Sequence, residues 1–336
     1  MFLVGDIGGT KTVLAIFSAE AGPHKPLFEK TYPSARYAGL EDIVREFLGE
    51  LNLSVNGACF GVAGPVMAGT ANITNLSWVI DETRLVSTFG WSSVKLLNDL
   101  ESVAYAVPIL EPDDIHTLSV GEPVPGGNIA VLAPGTGLGE AFMTFGNGQY
   151  TAHASEGSHV AFGPVNQLQD GLLTYMRERK GFTHVSYERV CSGGLGIPNL
   201  YAFLRDTGYA PEPAWLAEKL TGIEDITPLI IQSAQDKDHP CALCAATLSL
   251  FVAILGAEAG NLALKVLSTG GIYVGGGISP RILSDLQHPS FLEALRSKGR
   301  FREIMTNMPV HIILNARAGL LGAAAYGLTL HVPETN

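Results

Sequence analysis

The chain has 336 residues, with 21 Lys and Arg against 32 Asp and Glu, a formal charge of −11. That balance argues against a nucleic-acid binder, because a phosphate backbone is gripped by clustered cations and these are few and scattered here. Charged residues make up 16% and apolar ones 46%, which excludes disorder as the main theme, and the length fits about two domains. The 39 glycines follow no collagen-like period and point to tight turns and close backbone approaches.

Met1 runs straight into Phe2-Leu3-Val4 with no basic segment, so the start reads as a strand, not a targeting peptide. A glycine turn, Asp6-Ile7-Gly8-Gly9-Thr10, separates it from a second strand, Val13–Phe17, and together they form a hairpin signal. A strand at Phe28–Tyr32 and a helix over Leu40–Leu51 follow, the helix from Leu40, Ile43, Val44, Phe47 and Leu48 at helical spacing. A buried strand, Ala58–Val62, ends in Ala63-Gly64-Pro65; another, Val94–Leu97, runs into Asn98-Asp99 and a helix to about Val107. Proline and glycine cluster at Glu111-Pro112 and again over 122–127, which is linker composition.

After the linker the opening theme recurs as a strand at Ile129–Leu132, the turn Ala133–Gly139 and a strand at Ala141–Phe145. Offset by 128, residues 132–145 match residues 4–17 only at Gly9 with Gly137 and Phe17 with Phe145. The pattern repeats although the identity does not, and two lobes aiming glycine hairpins at one cleft would hold a polyphosphate. The apolar stretch Ala245–Leu267 is interrupted by Glu258, Asn261 and Lys265, so it predicts a buried helix rather than a membrane span. A glycine-rich strand over Gly270–Ile278, a strand at Val310–Leu314 and a helix at Ala316–Leu328 complete the chain. Gly319, Gly322 and the alanines 323–325 would let that last helix approach Ala104 and Ala106 closely. The four cysteines read as reduced cytosolic thiols, and the lone Cys241-x-x-Cys244 has no second pair to complete a zinc site.

Glycines at a strand turn let backbone N–H groups face an anion, and Thr10 adds a hydroxyl donor. An aspartate beside phosphates needs a cation between them, so Asp6 implies Mg²⁺ held through water. The same five residues would also form an ordinary hairpin in which Asp6 caps a turn. Neither a Walker A loop nor a G-x-G-x-x-G fingerprint is present. Asn98-Asp99 falls at the carboxyl end of a strand, where open α/β sheets place their chemistry, although Asn98 is also a good helix cap. Glu156 and His159 are three apart and face one way on a helical turn. His153 makes the run H-x-x-E-x-x-H, which is not metallopeptidase spacing.

Taken in order, these segments resemble the hexokinase-like sugar kinases of the actin-type ATPase fold, and within them the bacterial glucokinases outside the repressor/kinase (ROK) group. Asp6, Ile7, Gly8, Gly9, Thr10 and Lys11 are similar to the first phosphate motif, Leu97-Asn98-Asp99 to the catalytic segment, and Gly135-Thr136-Gly137 to the second phosphate motif. Glu156–His159 resembles the sugar motif, Tyr187–Val190 with Ser192-Gly193 the second sugar segment, and Gly275–Ile278, including Gly276, the adenosine segment. Lys11 departs from the family's frequent Asn and Ser158 from its frequent Gly, so Lys11 either adds charge near the γ-phosphate or points to solvent.

The resemblance implies an α/β, two-lobe actin-like (ribonuclease H-like) fold with mixed sheets flanked by helices. The smaller lobe would be 1–110 plus 311–330 and the larger one 111–310. It implies ATP-dependent phosphorylation of D-glucose at the 6-hydroxyl, giving glucose 6-phosphate and ADP, in a cytoplasmic homodimer with ATP and Mg²⁺ as cofactors and no nucleic-acid or membrane partner. Asp99 would be the base, and Asn98, Glu156, His159 and Glu188 would bind the sugar. The alternatives are a ROK-like kinase for another hexose, against which the zinc-binding cysteines are missing beside Glu156, and a sugar sensor, for which no helix-turn-helix precedes Asp6.

Overall fold

The computed structural model describes residues 1–51, 53–73 and 76–330. In chain order, β1 (Phe2–Ile7), β2 (Lys11–Phe17) and β3 (Phe28–Pro33) lead into α1 (Leu40–Gly49) and β4 (Gly57–Val62). The short strands β5 (Val66–Met67), β6 (Thr70–Asn72) and β7 (Val79–Asp81) precede α2 (Glu82–Phe89), β8 (Ser93–Asn98) and α3 (Asp99–Ala106). Next come β9 (Ile115–Ser119), β10 (Ile129–Pro134), β11 (Leu138–Gly146) and β12 (Gln149–Ser155). The helices α4 (Gln167–Glu178), α5 (Gly196–Asp206), α6 (Ala214–Leu220), α7 (Thr227–Gln235) and α8 (Ala242–Val266) run up to β13 (Gly271–Val274). Then α9 (Leu283–Leu286), α10 (Pro289–Arg296), α11 (Arg302–Asn307), β14 (Val310–Ile313) and α12 (Ala318–Thr329) finish the described chain.

Two compact units result: Met1–Asp114 with Ala141–Ala154 and the chain from Asn315 on, and Ile115–Glu140 with Ser155–Leu314. In the first, a mixed sheet has the order β3-β2-β1-β4-β8, with β1, β4 and β8 parallel and β2 and β3 antiparallel. Period-two alternation sends Leu3 and Ile7 of β1 into one core, with α1 and Trp78, and Phe2 and Val4 into another, with Leu320, Ala323 and Ala324 of α12. Asp6 shares the α12 face by the same alternation, and a Cβ at Gly319 would lie 3.9 Å from its carboxylate. The small residues of α12 work as expected: a Cβ on Gly322 would overlap the Ser102 carbonyl oxygen of α3.

The second unit contains β10, β13, β14 and β9, ordered β10-β13-β14-β9, and the start of β11. β10, β13 and β14 run parallel, and β9 lies antiparallel on β14. The sequence marks the proline clusters on either side of β9 as linker, and β9 forms an edge strand between them, a position where flanking proline is tolerated. α8 is long and apolar enough to cross a bilayer by length and hydropathy. It is instead the core helix of this unit, with 16 of its 25 residues buried.

Candidate functional site

In the first unit, sheet register brings two motifs together. Ile7 pairs with Val62 and Val62 with Asn98, so the carboxyl ends of β1, β4 and β8 lie side by side. The turn between β1 and β2 is closed by the Gly8 N–H donating to the Lys11 carbonyl at 3.0 Å. Ser34, a buried residue just after β3, braces it: its hydroxyl donates to the Gly8 carbonyl at 2.8 Å and its N–H to the Thr10 carbonyl at 3.1 Å. No local motif marks Ser34, because only β2–β3 pairing carries it there. Burial holds the Asp6 carboxyl above the ordinary aspartate range, partly offset by the charge of Lys11. The Lys11 side chain itself is exposed.

Asn98 caps α3. Its Oδ1 accepts from the Leu100 N–H at 2.9 Å and the Glu101 N–H at 3.4 Å, while the Glu101 carboxylate accepts the Asn98 N–H at 3.2 Å. This reciprocal capping box fixes the residue's backbone, and Nδ2 donates to the Gly64 carbonyl at 3.1 Å. The amide keeps one N–H for a ligand. Asp99 follows as the first residue of α3, with Oδ1 accepting from the Leu100 N–H at 2.9 Å.

In the second unit, the turn after β10 is closed by the Gly135 N–H donating to the Gly137 carbonyl at 2.8 Å. Gly193 and Gly194 donate to the Gly135 and Thr136 carbonyls at 2.8 and 2.9 Å. The Ser192-Gly193 segment, matched in sequence to sugar recognition, therefore backs the glycine turn. Gly276 follows β13 with φ +79°, where a Cβ would also overlap the Pro134 carbonyl oxygen, so only glycine fits.

Glu156, His159 and Glu188 come together in this unit. A single 3₁₀ turn, Gly157–His159, brings His159 Nε2 to 3.6 Å from Glu156 Oε2, and Glu188 Oε2 lies 3.5 Å from Nδ1. The Glu188 N–H donates to the Ser158 carbonyl at 3.0 Å, which joins the two segments. Glu156 and His159 are 62% and 55% exposed against 25% for Glu188, so the first two are open to a ligand and the third anchors the cluster. A Cβ on Gly137 would stand 2.9 Å from Glu188 Oε1, which sets this carboxylate beside the glycine turn. His153 is engaged elsewhere, with Nε2 2.9 Å from Thr144 Oγ1 and its ring stacked on Phe142. Two acids to which the sequence reading gave no role in the site, Glu140 and Glu258, are buried in this unit.

A family model described as glucokinase matches residues 3–330. The chain belongs to the glucokinase family. It is 39% identical to a glucokinase of Nostoc punctiforme (strain ATCC 29133 / PCC 73102) over 335 residues, covering 96% of this chain and 98% of that one. Among solved structures it is similar to the glucokinase from an Antarctic psychrotroph, with TM-score 0.82, 32% identity and 98% of both chains covered. The fold also matches a Balamuthia mandrillaris glucokinase in complex with glucose, at TM-score 0.80 and 21% identity, covering 98% of this chain and 93% of that one. With family and fold thus matched across the chain, the fold is that of an actin-like sugar kinase.

Proposed function

We infer that this chain, as a glucokinase-family member, transfers the γ-phosphoryl group of ATP to the 6-hydroxyl of D-glucose, giving glucose 6-phosphate and ADP. The observation that carries the reading is the His159 ring flanked by Glu156 and Glu188, with Glu188 set against Gly137 of a glycine turn. Carboxylates and an imidazole grouped at the surface accept and donate hydrogen bonds as a neutral polyol requires, and the adjoining turn suits phosphate.

In this reading Glu156, His159 and Glu188 orient the sugar, and the remaining Asn98 N–H donates to a neighbouring hydroxyl. Asp99, at the strand end, accepts the hydroxyl proton as the oxygen–phosphorus bond forms. The turns at Gly8–Thr10 and Gly135–Gly137 carry the phosphates, and Gly276 leaves room for adenosine. Asp6 fits a water-bound Mg²⁺: burial disfavours its ionised carboxylate, with the Lys11 charge opposing that effect, so a nearby cation would restore the ionised form. When bound, Mg²⁺ neutralises charge on the transferring phosphoryl group. Family resemblance further supports a cytoplasmic homodimer.

A hexose panel with ATP and Mg²⁺, following ADP production, tests the reading. Glucose is expected to give the highest kcat/KM; a different hexose leading by about tenfold or more would move the substrate assignment. Calorimetric glucose binding should persist without nucleotide and with chelator present, and a loss restored by Zn²⁺ would instead mark Glu156 and His159 as metal ligands.

A further inference from the structure

Beneath the sugar-facing turn lies a buried acid pair that no part of the proposed chemistry uses. Glu140 follows the second glycine turn by three residues on β11 and is 1% exposed. Among the described residues, neither of its carboxyl oxygens meets a hydrogen-bond donor. Its neighbour is Glu258 in the middle of α8, also fully buried. Gly157, between Glu156 and Ser158, packs flush on Glu140: a Cβ there would overlap Glu140 Oε2 and lie 3.2 Å from Cδ. Glu258 reaches the second sugar segment as well. Asn261 Nδ2 donates to Glu258 Oε2 and to the Tyr187 hydroxyl, both at 2.9 Å, and Tyr187 immediately precedes Glu188.

We infer that Glu140 is a positioning residue for glucose: its carboxyl, wedged between Glu258 and Gly157, sets the height of the 156–159 turn and so the placement of Glu156 and His159. The inference rests on the sugar-site reading above. Because no donor among the described residues reaches Glu140, a hydrogen bond between the two acids is made by a proton that the pair carries itself. Burial and the Glu258 charge push the Glu140 carboxyl up to about 8, so the pair keeps a proton at neutral pH. The Glu258 carboxyl is raised as well, chiefly by burial, with Asn261 donating to it and the Lys265 ammonium 3.8 Å away opposing the rise. Lys298, held by the Ala257 carbonyl and Asn261 Oδ1, and the buried Cys191 thiol complete the titratable surroundings. Ionising Glu140 would put a second negative charge under the turn and push it away.

Steady-state kinetics and calorimetric glucose binding on the full chain test this. Glu140→Ala should raise KM for glucose by about tenfold with little change in KM for ATP, less than the ~10²-fold a full ångström of misplacement can cost. Glu140→Gln, an uncharged isostere, should stay near wild type. In wild type, KM for glucose should climb between about pH 7 and about pH 9.5, and Glu140→Gln should flatten that climb. Gly157→Ala should weaken glucose by a similar factor in wild type, and Glu140→Ala should recover most of the loss by clearing the overlapped space. The proposal is overturned if the pH climb survives unchanged in Glu140→Gln, or if the double variant binds no better than Gly157→Ala. Glu156→Gln and His159→Ala serve as controls. If these leave glucose binding unchanged, the sugar-site reading fails; if they weaken it while Glu140 variants and Gly157→Ala do not, only the positioning role fails.

Discussion

Asp99 and the two glycine turns carry the sharpest expectations at the level of single residues. Asp99→Asn keeps shape and the hydrogen bond to the Leu100 N–H but is a far weaker base, so kcat should fall by ~10²–10⁴ with glucose affinity largely kept. That loss corresponds to ~3–5 kcal/mol of barrier, and turnover near wild type would remove Asp99 from the mechanism. Gly135 and Gly137 both match the second phosphate motif in the sequence and are distinct in the structure. A Cβ at Gly135 meets nothing within 4 Å, whereas one at Gly137 meets Glu188. Gly135→Val should therefore raise KM for ATP and spare isolated glucose binding, while Gly137→Ala should weaken glucose by displacing Glu188. Equal behaviour of the two variants in parallel calorimetric titrations would contradict this geometry.

At the level of elements, α3 and α12 decide how the first unit holds its motif ends. α3 starts from the Asn98 capping box, and α12 covers the face of β1 that bears Asp6. Their close approach depends on Gly322, whose Cβ would overlap the Ser102 carbonyl oxygen and lie 2.7 Å from the Ala106 nitrogen. Backbone cannot yield as a flexible side chain does, so Gly322→Ala should destabilise by at least about 1–3 kcal/mol and Gly322→Val by more. Thermal melts read this directly, and an unchanged melting temperature for Gly322→Val would show that the helices separate without cost. The element also bears on chemistry: a shift of α12 away from α3 moves the surface against which Asp6 is buried.

Across the whole molecule, buried acids give the stability a definite pH dependence. Glu140 and Glu258 have folded values raised by burial, as has Asp6. Above the ordinary carboxylate range the unfolded chain has lost these protons while the folded chain keeps them, so raising pH favours unfolding. Stability should fall from about pH 5 to about pH 8 and then level as Glu140 ionises in the folded state too. At the acid end the sign reverses: Asp206, lowered mainly by the Tyr175 hydroxyl, and Asp81, lowered mainly by the Arg84 N–H, lose their contributions as they protonate. Urea unfolding across this range checks the shape, and Glu140→Gln should reduce the alkaline-side slope. A slope identical in that variant would exclude Glu140 as its source.

Much of this was legible in the residues because backbone chemistry dictates it locally. The Asp6–Thr10 and Gly135–Gly137 turns, the β1–β2 hairpin, the Asn98 cap and the close-packing stripe of α12 follow from glycine, alternation and capping preference within a few residues. The Glu156–His159 pairing follows from their spacing of three on one turn. The helices α4 to α7 escaped notice because they are brief and separated by turns, so their periodicity is short and their stability comes from tertiary packing, α5 and α7 on α8 and α4 on α5. β9 escaped because its proline-bearing flanks read as linker. Long-range pairing alone decided that Ser34 braces the first turn, that Ser192-Gly193 backs the second, that Glu188 reaches both His159 and Gly137, and that Glu140 lies under Gly157. Each of these contacts joins residues far apart in the chain, where spacing carries no information and only the burial of apolar faces, summed over a whole unit, selects the neighbours.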